Sequence, residues 1–259
     1  MLLTADQLMI WLNSLMLPFI RLSAFFLVAP IYGAKTVPVR IRVLLALLIS
    51  GLLSPSMPLD HVVEPLSAEG LLLIAQQVAV GIAMGLVLQF MMSAVVMAGH
   101  VMATAMGLGF ASSADPQNGI PVTIVSQLYL IMATLFFLGM DGHLLLLQIL
   151  AASFTSFPLD VFTLTPEFFQ SVVSYSARLF VTGTLIALPV MTGVLLVNLA
   201  FGVMTRAAPQ LNIFSMGFPI TILAGFSLMV LTLPVISPLL SSGFTDAFTF
   251  LSKLMEPGR

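Results

Sequence analysis

No cysteine occurs among the 259 residues, so disulfides, thiol catalysis and cysteine metal sites are all excluded. Charge is nearly as scarce: 7% of residues are charged, where a soluble domain carries about 25%. With 59% hydrophobic residues, this composition is that of a membrane protein. The net charge is −2 and there is no basic run, which leaves nothing suited to nucleic acid. The N-terminal Met1-Leu-Leu-Thr-Ala-Asp6 lacks the positive region and small-residue cleavage site of a secretory signal. The first apolar run is therefore expected to stay in the mature protein.

What is abundant is methionine. The chain has 17, about three times a usual frequency of roughly 2%, and the thioether supplies flexible, polarisable packing. Such residues suit a greasy core or an adaptable seal or partner surface, and composition does not choose between them.

Thr4-Ala-Asp-Gln7 has the form of a capping box, so a helix is expected from Ala5 to about Ile31, kinked at Pro18. Arg21 lies deep in that run, where an isolated guanidinium costs at least ~2.5 kcal/mol. It must pair inside a protein assembly, or the segment must leave ordinary membrane depth. Gly33 to Arg42 gathers Lys35, Arg40 and Arg42, three of eight basic residues, and the positive-inside rule places this loop in the cytoplasm. A second run, Ile41 to about Leu59, leads to an acidic connector with Asp60, His61, Glu64 and Glu69, expected outside.

Ser67 and Glu69 read as a cap and a first-turn acid. The helix they open, Leu71 to about Met106, would span ~54 Å against a hydrocarbon core of ~30 Å. It must break, tilt strongly, or extend beyond the bilayer under protein cover. Gly81 and Gly85 form a GxxxG pair, and Gly99, Ala103 and Gly107 repeat the spacing, so close helix approach is expected. Gln76, Gln77, Gln89 and His100 need partners if buried; for His100 a structural hydrogen bond is the expectation.

Between long apolar runs lies Met106-Gly-Leu-Gly-Phe-Ala-Ser-Ser-Ala-Asp-Pro-Gln-Asn-Gly-Ile-Pro-Val122. Its glycines and prolines predict a shaped loop and not helix. Loop chemistry alone favours a solvent-facing connector; the other reading is irregular backbone inside a protein-lined cavity. Asp141-Gly-His143 reads as a polar turn at a helix break, with Gly142 supplying the turn. No HExxH motif or nucleophile elbow accompanies it, and two side chains do not complete a metal site.

Thr165-Pro-Glu167 should open a helix into a run ending near Met204, interrupted by Arg178 and Pro189. A last span, Phe218 to Leu240, is expected to break at Pro234 and end at Pro238. Six runs crossing once each would place the N-terminus outside and the Arg206 and central loops inside.

Between the last two runs, Thr205-Arg-Ala-Ala-Pro-Gln-Leu-Asn-Ile-Phe-Ser-Met-Gly-Phe-Pro219 resembles the signature of the FliR/SctT family of type III export-gate proteins. Leu17-Pro-Phe-Ile-Arg21, Ala29-Pro-Ile-Tyr-Gly33 and Val37-Pro-Val-Arg40 resemble its first helix and basic loop. Gly107 to Pro121 resembles its central loop, and Gly142-His143 with Leu150 to Pro158 the block that follows. The similarity covers nearly the whole chain and looks closer to the flagellar branch. Asp141 is a small departure, standing where a neutral residue is expected.

The resemblance implies an all-α, polytopic membrane-associated helical protein with long kinked helices. A P-like portion (1–180, with central pore loop 106–122) would be fused to a C-terminal Q-like helical hairpin (181–240, tip loop 205–217), followed by a short tail (241–259). It implies a non-enzymatic core subunit of the flagellar export gate in the bacterial inner membrane, at the basal body, with much of the complex above the bilayer. One copy of this chain would join several P and Q subunits, contact a B-type switch protein and an A-type export protein, and pass unfolded flagellar subunits. No cofactor is implied.

Carried onto this sequence, the pore plug is Met106, Gly107, Leu108, Gly109, Phe110, Ala111, Ser112, Ser113, Asp115 and Pro116. The hairpin tip is Arg206, Pro209, Asn212, Phe214, Gly217 and Pro219, and Arg21, Lys35, Arg40, Gly81 and Gly85 serve assembly. The chief rival reading is a polytopic secondary transporter of a small solute, which should show internal repeats with matching broken helices; none is convincing. An intramembrane enzyme would need Asp115 or Asp141 as a catalytic acid, and neither lies in a recognisable motif.

Overall fold

The structure, a computed structural model, describes residues 5–56, 64–109, 112–114, 121–207 and 213–255. Among the described residues the chain forms eight α-helices: α1 (Ala5–Val28), α2 (Val39–Leu53), α3 (Ala68–Ala105), α4 (Ile124–Gly139), α5 (Gly142–Ser156), α6 (Pro166–Tyr175), α7 (Ala177–Ala207) and α8 (Ile213–Leu254). One short strand pair, β1 (Ser112–Ala114) and β2 (Pro121–Thr123), is the exception to an otherwise all-α fold.

Several helix starts follow from local chemistry. Ser67 Oγ accepts from the Gly70 amide at 3.0 Å and donates to Glu64 O at 2.7 Å, capping α3. Thr123, extended at φ −66° and ψ 152°, accepts from Ser126 N at 3.2 Å and caps α4. Thr165 and Pro166 hold the N-cap and N1 positions of α6, although the Thr165 hydroxyl makes no cap bond. The capping box expected at the N-terminus has its Thr4 outside the described residues, while α1 does begin at Ala5.

Other expectations are corrected. Asp141, not Gly142, supplies the turn between α4 and α5: it takes the left-handed conformation, φ 55°, and Gly142 is already helical. A short polar side chain is among the few that tolerate that region. Arg178 and Pro189 do not interrupt α7; the break falls earlier, at Ser176.

Neither Pro234 nor Pro238 stops α8, which runs to Leu254. Proline removes one intrahelical hydrogen bond, but Ile236, Leu240, Phe244 and Leu251 are all buried. Packing from Ile236 onward outweighs that local cost. Residues 241–254 of the short C-terminal tail are thus a continuation of α8.

The second run gives only α2, 15 residues and about 22 Å long, short of a ~30 Å hydrocarbon core. Among the described residues four helices are long and apolar enough to cross a membrane, or five if α4 and α5 make one broken span, fewer than the six crossings expected. Of the options for the third run, continuity prevails: α3 is unbroken over 38 residues, about 57 Å.

The chain divides into two compact units, and α3 and α8 contribute to both. The first comprises Met1–Gln89, Asp141–Ser176 and Ala247–Arg259. There the GxxxG pair of α3 meets α1: a methyl on Gly81 would overlap the Arg21 carbonyl oxygen, and one on Gly85 would lie 2.9 Å from Ala29 N. Leu17, Phe154 and Leu159 form a buried cluster beside them. Tyr175 stacks on Phe250 at 4.2 Å, tying α6 to the end of α8.

The second unit, Phe90–Met140 with Ala177–Asp246, is a bundle. α7 and α8 form an antiparallel hairpin, with Gly193 facing Leu228 and the Thr221 hydroxyl donating to Asn198 Oδ1 at 3.0 Å. Methionines of α3 and of the turn just after it seat in glycine notches: Met91 at Gly243, Met97 at Gly183 and Met106 at Gly225. Met84, Met91, Met92, Met102 and Met106 are buried, so these residues act as core filler. α4 docks where Gly99 leaves room for the Ser126 backbone, and Ser126 Oγ bonds Val96 O at 2.9 Å. Phe137 and Phe244 meet at 5.2 Å.

Gly81→Ala and Gly99→Ala each drive a methyl into backbone and should destabilise by the upper part of about 1–3 kcal/mol. Gly202→Ala, with open space around it, should gain up to about 1 kcal/mol from helix propensity. Thermal unfolding in detergent tests the contrast; equal effects at the three sites would refute the close-approach account.

Candidate functional site

The central loop grows from the end of α3. Gly107 adopts φ +80°, its amide donates to Thr104 O at 3.1 Å, and the Leu108 amide donates to Ala103 O at 2.8 Å. These two bonds and the left-handed glycine are a Schellman motif, which satisfies the last helix carbonyls while turning the chain away. Met106 is buried against Gly225, and the Phe218 ring would lie 3.0 Å from a Cβ on Gly107. Asn198 Nδ2 reaches toward Ala105 O, at a long 3.5 Å.

The other end of the loop is held by the Thr123–Ser126 cap, whose hydroxyls lie 2.8 Å apart. Between these ends β1 and β2 pair antiparallel, Ser112 with Thr123, Ser113 with Val122 and Ala114 with Pro121. The expected shaped loop is thus a narrow hairpin on a fixed base. Leu108 and Gly109 lead into it half-buried; Phe110, Ala111, Asp115 and Pro116 lie outside the described residues.

At the α7–α8 turn, Arg206 is exposed in the last turn of α7. Pro209 and Asn212 lie outside the described residues, and Phe214 falls in the first turn of α8. Gly217 is buried and Pro219 exposed, both within α8. Lys35, before α2, and Arg40, in its first turn, are exposed, whereas Arg42 donates to Ala34 O and to Val37 O at 2.9 Å, closing the basic loop on itself. His100 is exposed on α3, so its ring nitrogens need no partner within the fold. Tyr32 donates to His143 O at 3.2 Å, and burial raises its phenol pKa above the usual value.

Arg21 is fully buried, and its partners lie within the chain. Nε donates to Gln77 Oε1 at 2.7 Å, one terminal nitrogen to Ser153 Oγ at 3.0 Å and the other to Phe157 O at 2.6 Å. The guanidinium also lies 4.2 Å from the centroid of the Phe154 ring. All three acceptors are neutral, so the charge is stabilised by dipoles and an aromatic face. Gln77 precedes Gly81 by one helical turn, so the notch that admits α1 also brings the amide to Arg21.

The sequence reading missed the supporting residues: Asn198, Thr221, Phe218 and Ser126 around the loop base, and Ser153 beside Arg21. Asn198 had a usable signal, a lone amide within Val194-Leu-Leu-Val-Asn-Leu-Ala200, where a polar atom needs a partner. Ser153 and Phe218 fell within family-like stretches but carried no signal of their own.

The chain matches the family described as "Bacterial export proteins, family 1" over residues 12–247. Among proteins similar to it is the flagellar biosynthetic protein FliR of Escherichia coli (strain K12), 35% identical over 253 residues, covering 98% of this chain and 97% of that protein. FliR of Pectobacterium carotovorum subsp. carotovorum is 34% identical, covering 95% and 94%. FliR of Bacillus subtilis (strain 168) is 30% identical, covering 93% of each.

Arg21→Met keeps much of the apolar stem and removes the donors, orphaning acceptors at about 1–3 kcal/mol each. The unfolding midpoint in detergent should fall clearly, and Arg21→Lys should restore only part of it, because an ammonium cannot reproduce the fork. A midpoint unchanged in Arg21→Met would rule out a stabilising role.

Proposed function

The chain belongs to the bacterial export proteins of family 1, and from that premise we propose that it is a core subunit of the flagellar type III protein export gate, with the central loop as its plug. The observation that carries the assignment is near-full-length similarity to several FliR proteins of distant bacteria. The family assignment displaces the secondary-transporter reading.

The plug reading draws support from the construction of the loop. A Schellman turn at one end and a hydroxyl cap at the other fix where the hairpin leaves the bundle. Gly107 and Gly109 let backbone occupy a narrow lumen without side-chain bulk. Unfolded substrate displaces the hairpin, and the base stays in place. No bond is made or broken by these residues, so their task is steric and not enzymatic.

In this reading residues 1–180 are the P-like portion, 181–240 the Q-like hairpin carried by α7 and α8, and 241–259 the terminal piece. One copy assembles with several P and Q subunits in the inner membrane. It contacts a B-type switch protein at the gate, with the A-type export protein nearby. Apolar side chains exposed on the isolated chain, such as Leu195, Leu199, Val230 and Leu231, are then covered by lipid and by those subunits.

Deleting residues 110–115 should leave the complex assembled and make cells permeable to small solutes, measured by solute influx into cells. An intact gate with unchanged permeability would refute the plug. Native mass spectrometry of the chain made with matching P and Q subunits should give one large complex with a single copy of this protein; a lone monomer or homodimer with both partners folded would overturn the assignment.

A further inference from the structure

The first unit carries an open groove of about 480 Å³ between the start of α3 and the loop entering α6. It is lined by Glu69, Leu72, Leu73, Asp160, Val161 and Phe162. Leu73 is its buried floor, while Leu72, Val161 and Phe162 remain about half exposed, at 53%, 51% and 48%. Two carboxylates stand among these apolar walls, and among the described residues no cation lines the groove.

The irregular wall is held by one buried side chain. Gln76 Nε2 donates to Pro158 O at 3.1 Å and Val161 O at 2.9 Å, and its Oε1 accepts from Thr163 N at 2.7 Å and Leu164 N at 3.3 Å. Four backbone groups of the loop are thus fixed by a single amide of α3. A wall already ordered loses little entropy on binding, as a docking site requires.

We propose that this groove receives a basic, apolar-flanked segment of a partner protein, an arginine or lysine side chain lying along Leu72 and Phe162 with its charged head between Glu69 and Asp160. The stem of such a residue is apolar enough to cover leucine while its head stays at the mouth. The Phe162 ring adds an attractive face for a cation. Anionic lipid headgroups are repelled by the carboxylate pair, and neutral acyl chains gain nothing from it, so the charge pattern selects a cationic protein segment over lipid.

The test places the photo-crosslinker p-benzoylphenylalanine at position 162 of the full chain, in cells making the whole apparatus, and identifies adducts by peptide mass spectrometry. The expected adduct is a peptide of another protein with a basic residue beside apolar ones. Its yield should fall at least about fivefold in Glu69→Lys/Asp160→Lys, and by less in Glu69→Gln/Asp160→Gln, which keeps the side-chain shape. If the charge-reversed pair fails to accumulate, the neutral pair decides by itself, and unchanged yield counts against the proposal.

Adducts to lipid, or to residues 57–63 of the same chain, overturn it, as does the absence of any adduct. A native gel of the same cells separates the two levels of inference. An assembled complex without the crosslink refutes the groove alone, whereas absence of the complex with the unsubstituted chain refutes the gate assignment.

Discussion

A guanidinium shut away from water must find its hydrogen-bond acceptors within the fold, and the first unit is arranged around that demand. Arg21 draws on an amide of α3, a hydroxyl of α5 and a carbonyl at the end of α5. These lie 56, 132 and 136 residues away in sequence. Burying such a group without partners would cost several kcal/mol, so the alignment of α1, α3 and α5 is set by satisfaction of polar atoms as much as by apolar contact. The Gly81 and Gly85 notch is the matching steric condition, because only bare backbone lets α1 approach closely enough for Gln77 to reach.

The same rule recurs elsewhere with different chemistry. Gln76 spends its whole amide on the loop before α6, turning irregular backbone into a fixed wall. At the base of the central loop the orphan carbonyls of α3 are met by the chain's own reversal at Gly107, and the first amides of α4 by Thr123. Both helix ends that flank the hairpin are thus closed by bonds of their own, Leu108 N to Ala103 O and Ser126 N to Thr123 Oγ1. The methionines seated at glycine notches in the second unit supply contact that tolerates small shifts, because a thioether chain has three rotatable bonds and no branch to clash.

Much of this was legible in the chain itself. Charge scarcity and long apolar runs specified membrane helices; Ser67, Thr165 and the Met106–Val122 punctuation marked where helices start and where one cannot continue. Those signals are local, since they depend on backbone sterics and on hydrogen bonds between residues three or four apart. GxxxG spacing correctly announced close approach on α3, and the Thr205–Pro219 signature between the last two runs pointed to the family.

What the sequence by itself determined was therefore class, helix starts and family, each encoded by composition or by neighbours along the chain. Tertiary structure alone decided that α8 passes Pro234 and Pro238, because buried side chains beyond them outweigh one lost hydrogen bond. It decided that Asp141 and not Gly142 takes the left-handed turn, that Met106 sits at Gly225, and that Arg21 is satisfied within its own chain. Each of these depends on groups far apart in sequence meeting in space, and no local propensity carries that information.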